Sequence, residues 1–335
     1  MMQLETLAQI AGLADTLPVA DEATRAGAAR RQDSLAKPPG SLGRLEEIAL
    51  FMAAWQGKDR PGIVKAQALV FAGNHGICAQ GVNPFPQEVT AQMVANFEAG
   101  GAAINQLCRT NGADLSVIAL DLDRPTADFT AGPAMTEAET LDALNRGAAA
   151  VDPQADILTL GEMGIGNSTI SAALCAALFG GEVADWVGRG TGSDDNGVRR
   201  KIDAIACGLA RHPGLAPLET LSTLGGREQA AICGAVLAAR EARIPVILDG
   251  FICTAAAAPL FAADRRLLDH CLVGHVSVEP GHRKLLSAMG RTAILDFDMR
   301  LGEGSGAALA LGVVRSALAC HNGMATFADA GISGA

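Results

Sequence analysis

The sequence predicts an α/β fold: a doubly wound parallel sheet flanked by helices, with a small helical domain from the chain's two ends. Short apolar runs recur as continuous blocks without polar alternation, which is typical of strands buried on both faces. Alanine-rich stretches separate these runs, and alternating strands and helices indicate a parallel sheet. The first part of the chain is instead charged and helical, which predicts the second, smaller domain.

Residues 1–60 are predicted to form that helical segment. Pro38-Pro39-Gly40 interrupts it before a helix that begins near Leu45, because proline cannot continue a helix interior. We expect this segment to associate with C-terminal helices at about 305–335. Residues 61–304 are then predicted to form the parallel α/β domain that carries the active site.

Six apolar runs are predicted as strands, and a polar residue follows each of them. The runs are Leu69–Ala72, Leu115–Leu120, Ile157–Leu160, Pro245–Leu248, Cys271–Val273 and Ala293–Leu295. The polar residues are Asn74 with His75, Asp121, Glu162, Asp249, His275 and Asp296, and intervening helices include 91–109, 168–179, 198–211 and 226–242. Ligands of parallel sheets bind beyond the carboxyl ends of the strands. The six ends therefore predict one polar crevice, although each residue alone also suits a helix cap.

The most informative segment follows the third predicted strand and reads Gly161-Glu-Met-Gly-Ile-Gly-Asn167. Glycines let the backbone approach a ligand closely, and the start of the next helix offers N–H groups to an anion. A Walker A loop would need a lysine at Asn167, and a dinucleotide fingerprint would need glycine or alanine at Thr169. A carboxylate at Glu162 also fits a phosphate poorly. The residues alone leave open a phosphate cradle or an ordinary capped turn.

Two further glycine-bearing segments carry charged residues. Gly188-Arg-Gly-Thr-Gly192 precedes a basic helix containing Lys201, which suits a phosphate or carboxylate, although a flexible loop before a solvated helix fits equally. Leu301-Gly-Glu-Gly-Ser-Gly306 places Glu303 at the mouth of an apolar helix. Apolar surroundings raise a carboxyl pKa towards that of a useful general base, whereas the alternative is an acid favoured by the helix dipole.

Composition narrows the class of function. The 335 residues are 49% hydrophobic with a net charge of −10, which disfavours a nucleic-acid surface. None of the eight cysteines forms a C-x-x-C pair, and the six histidines show no metal-binding spacing. We find neither a signal peptide nor an apolar run long enough for a membrane span. These features predict a cytoplasmic enzyme of small molecules that binds no nucleic acid and no membrane.

Several of these motifs occur together in one family. They are Lys37-Pro-Pro-Gly-Ser-Leu-Gly-Arg44, His75-Gly76, Pro86-Gln-Glu-Val-Thr-Ala-Gln-Met93, Gly161–Asn167, Gly188–Gly192, Asp249-Gly250-Phe251 and Leu301–Gly306. In this set and order, spread over about residues 34 to 315, the chain resembles the nicotinate-nucleotide–dimethylbenzimidazole phosphoribosyltransferases. The resemblance implies a Rossmann-like sheet with a small helical domain, and a homodimer.

The resemblance also implies a reaction. Nicotinate mononucleotide would donate its phosphoribosyl group to 5,6-dimethylbenzimidazole with inversion at C1′, giving α-ribazole 5′-phosphate and nicotinate for the lower ligand of cobalamin. The chain lacks the Asp-Asp-x-x-x-Thr-Gly loop of enzymes that use phosphoribosyl pyrophosphate, since Asp194-Asp195 has no such continuation. A cationic pyridinium leaves without help from a metal, so we expect no cofactor and no metal. A carboxylate that accepts the benzimidazole proton typically contributes about 10²–10⁴-fold.

Carried over position by position, the resemblance assigns roles to named residues. Glu303 resembles the general base, with Glu162 in a supporting role. The implied phosphate and ribose site contains Gly161, Gly164, Ile165, Gly166, Asn167, Gly188, Arg189, Gly190, Thr191, Gly192, Lys201 and Asp249. The implied benzimidazole pocket contains His75, Gln87, Met93 and Leu301.

Two positions depart from the family pattern. Asn74 stands where an aspartate is expected before His75, and Phe85 lies where smaller or different aromatic residues also occur. Because both touch the base pocket, adenine, other benzimidazoles and phenolics are alternative acceptors. The rival hypotheses are an inactive nucleotide-binding protein and a nucleotide-dependent oxidoreductase. The glycine-flanked Glu303 argues against the first, and the incomplete dinucleotide fingerprint argues against the second.

Overall fold

Six parallel strands form a single sheet in the computed structural model, which describes residues 2–333. The strands are β1 (Ala66–Ala72), β2 (Ala113–Ala119), β3 (Ile157–Met163), β4 (Val246–Leu248), β5 (Cys271–His275) and β6 (Ala293–Leu295), in the spatial order β2-β1-β3-β4-β5-β6. All six predicted strands and the parallel α/β class are confirmed. The strands are apolar and largely continuous because helices cover both faces of the sheet.

Thirteen α-helices lie within the described residues. They are α1 (Glu22–Ser34), α2 (Arg44–Gln56), α3 (Glu88–Glu98), α4 (Ala103–Asn111), α5 (Glu137–Ala149), α6 (Asn167–Phe179), α7 (Asp195–Arg211), α8 (Pro217–Leu224), α9 (Arg227–Glu241), α10 (Phe251–Ala263), α11 (Pro280–Met289), α12 (Ser305–Gly323) and α13 (Phe327–Ala330). None of them is both long and apolar enough to cross a membrane.

The two faces of the sheet have separate cores. Leu69 and Phe71 of β1 point to one face, where the largest apolar cluster includes residues of α5, α6, α9 and α10. Ala68 and Val70 point to the other face, towards α4 and α12. This alternation follows from the period of two along a strand. Helix α12 thus packs directly on the sheet, and its N-terminus is held at the carboxyl ends of the strands.

Several predicted boundaries were wrong, and β5, for example, runs past Val273 to include His275. The third strand does not end at Leu160 but runs on to Met163, so Gly161 and Glu162 belong to the strand, paired with Val70 and Phe71, and not to the turn. The helix predicted over 91–109 is two helices, α3 and α4. Gly100 has φ +79°, a left-handed conformation that glycine adopts freely and that ends α3.

The N- and C-terminal segments contact each other. Arg31 of α1 donates hydrogen bonds to the carbonyls of His321, Asn322 and Met324, and the Gln32 side chain lies 2.8 Å from His321 Nδ1. This is the association that a small domain from both termini requires. The division of the chain into domains at residues 60 and 304 stays a prediction, because α12 contacts both this region and the sheet.

Candidate active site

A pocket opens at the carboxyl ends of three adjacent interior strands, β3, β4 and β5. Glu162 of β3, Asp249 after β4 and His275 of β5 line it, together with the turn that precedes α6 and the turn that precedes α12. The crevice predicted from six strand ends is therefore smaller than expected. Asp121 after β2 and Asp296 after β6, the two edge strands, lie outside it. Asn74 and His75, which follow the interior strand β1, are also absent from the lining.

The glycine-rich turn forms one wall of the pocket. It covers Gly164 to Gly166, and α6 begins at Asn167 with the side chain of Ser168 on the pocket lining. Gly166 has φ +94°, and a Cβ there would lie 2.8 Å from Cys78 Sγ, so only glycine fits this position. The turn therefore brings backbone and a helix N-terminus to the pocket, as an anion site requires.

Lys201 of α7 supplies a buried cation to the same wall. The residue is 3% exposed, and its ammonium group donates to Ser168 Oγ at 3.1 Å and to the Gly188 carbonyl at 3.3 Å. Within residues 2–333 no carboxylate oxygen lies within 4 Å of Lys201 Nζ. Burial lowers its pKa. The Glu279 carboxylate acts on the Lys201 ammonium from beyond 4 Å and opposes the effect of burial on its pKa. A buried ammonium that no carboxylate contacts suits an anionic ligand.

Glu279 anchors the second glycine-bearing loop, although it was not among the predicted site residues. It lies at the N-cap of α11, and its Oε1 accepts a hydrogen bond from Gly190 N at 2.9 Å. Its carboxyl group also packs against Gly188, so a side chain at that position would collide with it. An acid before Pro280 is typical of a helix start, so its local sequence does not indicate a pocket residue.

Glu303 lies on the opposite wall, in an unusual turn. Gly302, Glu303 and Gly304 have φ values of +82°, +63° and +81°, three consecutive left-handed residues. The Glu303 side chain lines the pocket, the residue is 7% exposed, and no protein group within residues 2–333 donates a hydrogen bond to its carboxyl. Burial, and then the nearby Asp249, raise the pKa of Glu303 to about 7.

Glu162 and Asp249 are also buried carboxyls, and both have protein partners. Glu162 accepts a hydrogen bond from the Asn167 amide, and burial with the nearby Asp249 and Glu228 raises its pKa to about 8. Asp249 accepts from Ala307 N at 2.8 Å and from Gly304 N at 3.2 Å. Of these three carboxyls, only Glu303 is without a donor among the residues that the structure describes.

The residues predicted for the benzimidazole pocket fall into two groups. Leu301 is 51% exposed at the pocket mouth, where Asn83 and Pro84 also contribute to the lining. His75 is fully buried, with its Nε2 2.8 Å from Glu228 Oε1, and Gln87 donates to the His75 carbonyl at 2.5 Å. Met93 packs in an apolar cluster beside Met163. These last three residues support the pocket wall from behind and are not among its lining residues.

The predicted phosphate and ribose residues also divide. Those on the pocket lining are Gly164, Ile165, Gly166, Asn167, Gly190, Thr191, Lys201 and Asp249. Arg189 instead points outwards in an exposed ion pair with Asp195 at 2.5 Å. Gly161 lies behind the lining, where its backbone packs against Gly304, and a Cβ would lie 2.5 Å from Gly304 N. Gly188 and Gly192 are likewise not on the lining.

Several lining residues were not predicted. Ser168, Ser193, Ser277, Glu279, Arg300 and the segment Gly250–Ile252 complete the wall between the two glycine-bearing loops and α12. His275 and Asp249-Gly250-Phe251 carried a signal, since they follow strands, but Ser277 and Arg300 carried none. Within residues 2–333, no group of three or more His, Cys, Asp or Glu side chains is placed to hold a metal ion.

Comparisons with known proteins agree with this geometry. The sequence model of a family described as phosphoribosyltransferase matches residues 17–332. A nicotinate-nucleotide–dimethylbenzimidazole phosphoribosyltransferase of Rhodobacter capsulatus is 70% identical, covering 99% of this chain and 100% of that protein. One from Ruegeria pomeroyi is 58% identical, covering 98% of each chain. The crystal structure of the enzyme of that name from Thermus thermophilus matches with a TM-score of 0.88 and 42% identity, over 94% of this chain and 100% of that chain.

Proposed function

Since this chain belongs to the nicotinate-nucleotide–dimethylbenzimidazole phosphoribosyltransferase family, we propose how its pocket carries out the family's reaction. The family resemblance predicted from the motifs is confirmed. The enzyme transfers the phosphoribosyl group of nicotinate mononucleotide to 5,6-dimethylbenzimidazole in the assembly of the lower ligand of cobalamin. The products are α-ribazole 5′-phosphate and nicotinate.

The observation that carries the mechanism is the state of Glu303. It is a buried carboxyl on the pocket wall, without a hydrogen-bond donor among the described residues and with a pKa of about 7. In the reaction, one benzimidazole nitrogen attacks C1′ from the face opposite nicotinate, which inverts the β configuration to α. The bond to the pyridinium breaks, and its electron pair leaves with nicotinate. The N–H group on the other ring nitrogen then becomes acidic, and Glu303 accepts its proton.

The nucleotide phosphate is assigned to the opposite wall. Lys201 is the buried cation there, and the hydroxyl-bearing residues Ser168 at the start of α6 and Thr191 beside Gly190 are also on the lining. A dianion beside an ammonium that lacks a carboxylate partner gains charge-assisted hydrogen bonds. Glu162, with a raised pKa and an amide partner, is assigned to the ribose and base region and not to the phosphate.

The acceptor is assigned to the mouth side of the pocket, near Leu301. Leu301 and Pro84 supply apolar surface at the lining, which a flat aromatic base requires. His75, Gln87 and Met93 are proposed to shape this side from behind. Their influence on acceptor choice is therefore indirect, through the backbone that they support.

Two further expectations belong to this proposal. A homodimer is supported by the family resemblance, and light scattering of the purified chain would test it. A cytoplasmic location is supported by eight cysteines that all remain as free thiols in the structure.

A direct assay tests the reaction. The enzyme is incubated with nicotinate mononucleotide and 5,6-dimethylbenzimidazole, and both products are separated by chromatography. We expect equal amounts of nicotinate and α-ribazole 5′-phosphate, and the coupling at H1′ in the NMR spectrum reports the α anomer. Omission of the acceptor controls for hydrolysis of the mononucleotide. Adenine and a phenol in place of dimethylbenzimidazole test the alternative acceptors. No nicotinate release with any acceptor would overturn the proposal.

A further inference from the structure

We propose that Asp249 is a positioning residue, which fixes the turn of Glu303 at the end of the sheet and does not bind the ribose. The family resemblance had placed Asp249 in the phosphate and ribose site. The inference rests on the proposed function, because it takes Glu303 as the group that receives the proton. In this role Asp249 contributes to the reaction by positioning Glu303, without contacting the substrate.

Each carboxylate oxygen of Asp249 accepts a backbone hydrogen bond. The residue is 1% exposed, Oδ1 accepts from Ala307 N at 2.8 Å, and Oδ2 accepts from Gly304 N at 3.2 Å. Two accepted N–H bonds, at the N-terminus of a nineteen-residue helix, favour the ionised carboxylate and oppose the burial that raises its pKa. A carboxylate oxygen can accept a second hydrogen bond, so burial is what opposes a ribose contact. The residue is 1% exposed, and the bonds that it makes go to the turn of Glu303 and to α12.

These bonds hold a strained backbone conformation. Residues 302–304 are all left-handed, which is unfavourable for the glutamate at the centre. Such a conformation persists only where its surroundings fix it. The other hydrogen bonds of the turn are local, from Ser305 N and Ser305 Oγ to the Gly302 carbonyl. Within residues 2–333, the bonds to Asp249 are those that join this turn to the sheet.

Packing limits the turn from the other side. The Gly161 backbone of β3 contacts Gly304, so the turn cannot move towards the sheet. Asp249 holds the turn from the end of β4 while Gly161 supports it from β3. Together they fix the direction in which the Glu303 side chain leaves the backbone. A misplacement of about 1 Å in such a group can cost about 10²-fold in rate.

Charge links Asp249 to the base as well. Besides Glu303, the acidic and imidazole groups on the pocket lining are Glu162 from β3, Asp249 from the end of β4, Glu279 at the N-cap of α11, and His275 from β5. His275 Nε2 lies 3.7 Å from Asp249 Oδ1. The cations on the pocket lining are Lys201 of α7 and Arg300, which lies in the segment between β6 and α12 that also contains Glu303. Asp249 is the neighbouring charge that raises the Glu303 pKa, after burial itself. The residue that orients the base therefore also makes it a better proton acceptor.

The test compares Asp249→Asn with Asp296→Asn, an aspartate that follows β6 outside the pocket. For Asp249→Asn we expect kcat to fall about 10²-fold and the KM for nicotinate mononucleotide to stay within about twofold of wild type. The acid limb of the kcat/KM profile should also move to lower pH, because the like charge beside Glu303 is gone. Asp296→Asn should keep the wild-type values. A KM for the mononucleotide raised about tenfold with an unmoved acid limb would overturn the proposal and restore Asp249 as a ribose ligand.

A measurement on the wild-type enzyme covers the case in which Asp249→Asn does not fold. Hydrogen exchange by mass spectrometry reports on the backbone amides of a peptide containing 302–307, with and without nicotinate mononucleotide. Protection that stays or rises on binding supports the proposal, since the amides keep Asp249. Loss of protection would show that Asp249 turns to the substrate. Glu303→Gln, assayed in parallel, separates the two ideas: wild-type turnover in that variant overturns the assignment of the base, whatever Asp249 does.

Discussion

The central and the edge strands of this sheet end in the same residue types but in opposite physical states. At the carboxyl ends of the central strands β3 and β4, Glu162 and Asp249 are 5% and 1% exposed, and burial raises the pKa of both carboxyls. After the edge strands, the side chains of Asp121 and Asp296 are 28% and 51% exposed and are paired with arginines at 2.6 and 2.9 Å. For Asp121, slight burial is outweighed by hydrogen bonds from Arg124 and Arg146, which lower the pKa.

This difference shows that sheet topology, more than residue type, decides which carboxyls are buried and have raised pKa values. A central strand end has neighbouring strands on both sides and a helix N-terminus above it, so Glu162 and Asp249 are buried, and neither forms an ion pair with an arginine within residues 2–333. An edge strand end meets solvent on one side, where arginines neutralise the charge. Four predictions test this contrast between a reactive centre and inert edges.

The largest expected effect is on Glu303→Gln. The amide cannot accept the benzimidazole proton, so kcat should fall by about 10²–10⁴-fold while mononucleotide binding is retained. Turnover is measured as nicotinate release, and binding by calorimetry. Turnover within about twofold of wild type would place the base elsewhere, with Glu162 as the next candidate.

The second effect is on Lys201→Met, which removes the buried cation and keeps most of its apolar stem. Loss of charge-assisted hydrogen bonds to the phosphate should raise the KM for nicotinate mononucleotide about 10- to 100-fold. The KM for the acceptor should change little. Arg200→Met is the matched control on the same helix, since Arg200 donates to the Gly81 carbonyl outside the pocket. Equal losses in both variants would indicate damage to α7 and not a phosphate site.

The third effect is on stability and depends on pH. The folded-state pKa of Glu162 is raised to about 8, so the folded chain holds a proton that the unfolded chain has released above about pH 4.5. The free energy of unfolding therefore falls as pH rises across this window. Glu162→Gln removes that loss, so its Tm should exceed that of wild type by about 2 °C or more above pH 8, and by less at pH 5.

Exposed Glu182→Gln serves as the control for the Glu162 experiment and should show no pH-dependent difference in Tm. If the Tm difference between Glu162→Gln and wild type did not vary with pH, Glu162 would not carry a buried proton. A raised carboxyl pKa would then no longer distinguish the end of the central strand β3 from the ends of the edge strands.

The smallest effect is expected at the edges. Asp121→Asn and Asp296→Asn each remove one side of exposed arginine pairs, which contribute about 0–1 kcal/mol. Turnover should stay within about twofold of wild type, and the free energy of unfolding should change by about 0.5 kcal/mol or less. A tenfold loss of turnover in either variant would break the contrast, because an edge carboxyl would then take part in the reaction.

The sequence carried enough information for the six strands and for the walls of the pocket. Continuous apolar runs and glycine-bearing turns are local signals, and Glu162, Gly166 and Glu303 all lie in such segments. The strand pattern alone did not distinguish Asp249 from Asp296, because both follow a strand and only the strand order separates centre from edge. Asp249 was singled out by its family motif. Glu279 and Arg300 escaped for a similar reason. Nothing in their local sequence shows that the fold brings them to the pocket.

Side-chain orientation was equally hidden in the motifs. His75, Gln87 and Met93 belong to strongly recognisable segments, and yet they lie behind the pocket wall, where they brace the backbone. Arg189 belongs to a glycine-bearing loop and points to solvent. A motif states that a segment matters to the site, but whether a side chain faces the ligand depends on tertiary packing.

The close contact between Gly161 and Gly304 has a consequence for how this enzyme can change. A side chain at either position would push β3 and the turn of Glu303 apart. Both positions are therefore restricted to glycine. The mouth has no such restriction, since Leu301 is 51% exposed and Pro84 on the lining is also exposed. New acceptor preferences should therefore arise, in natural divergence or in directed evolution, from substitutions at residues 83, 84 and 301, while the reacting centre beneath them stays the same.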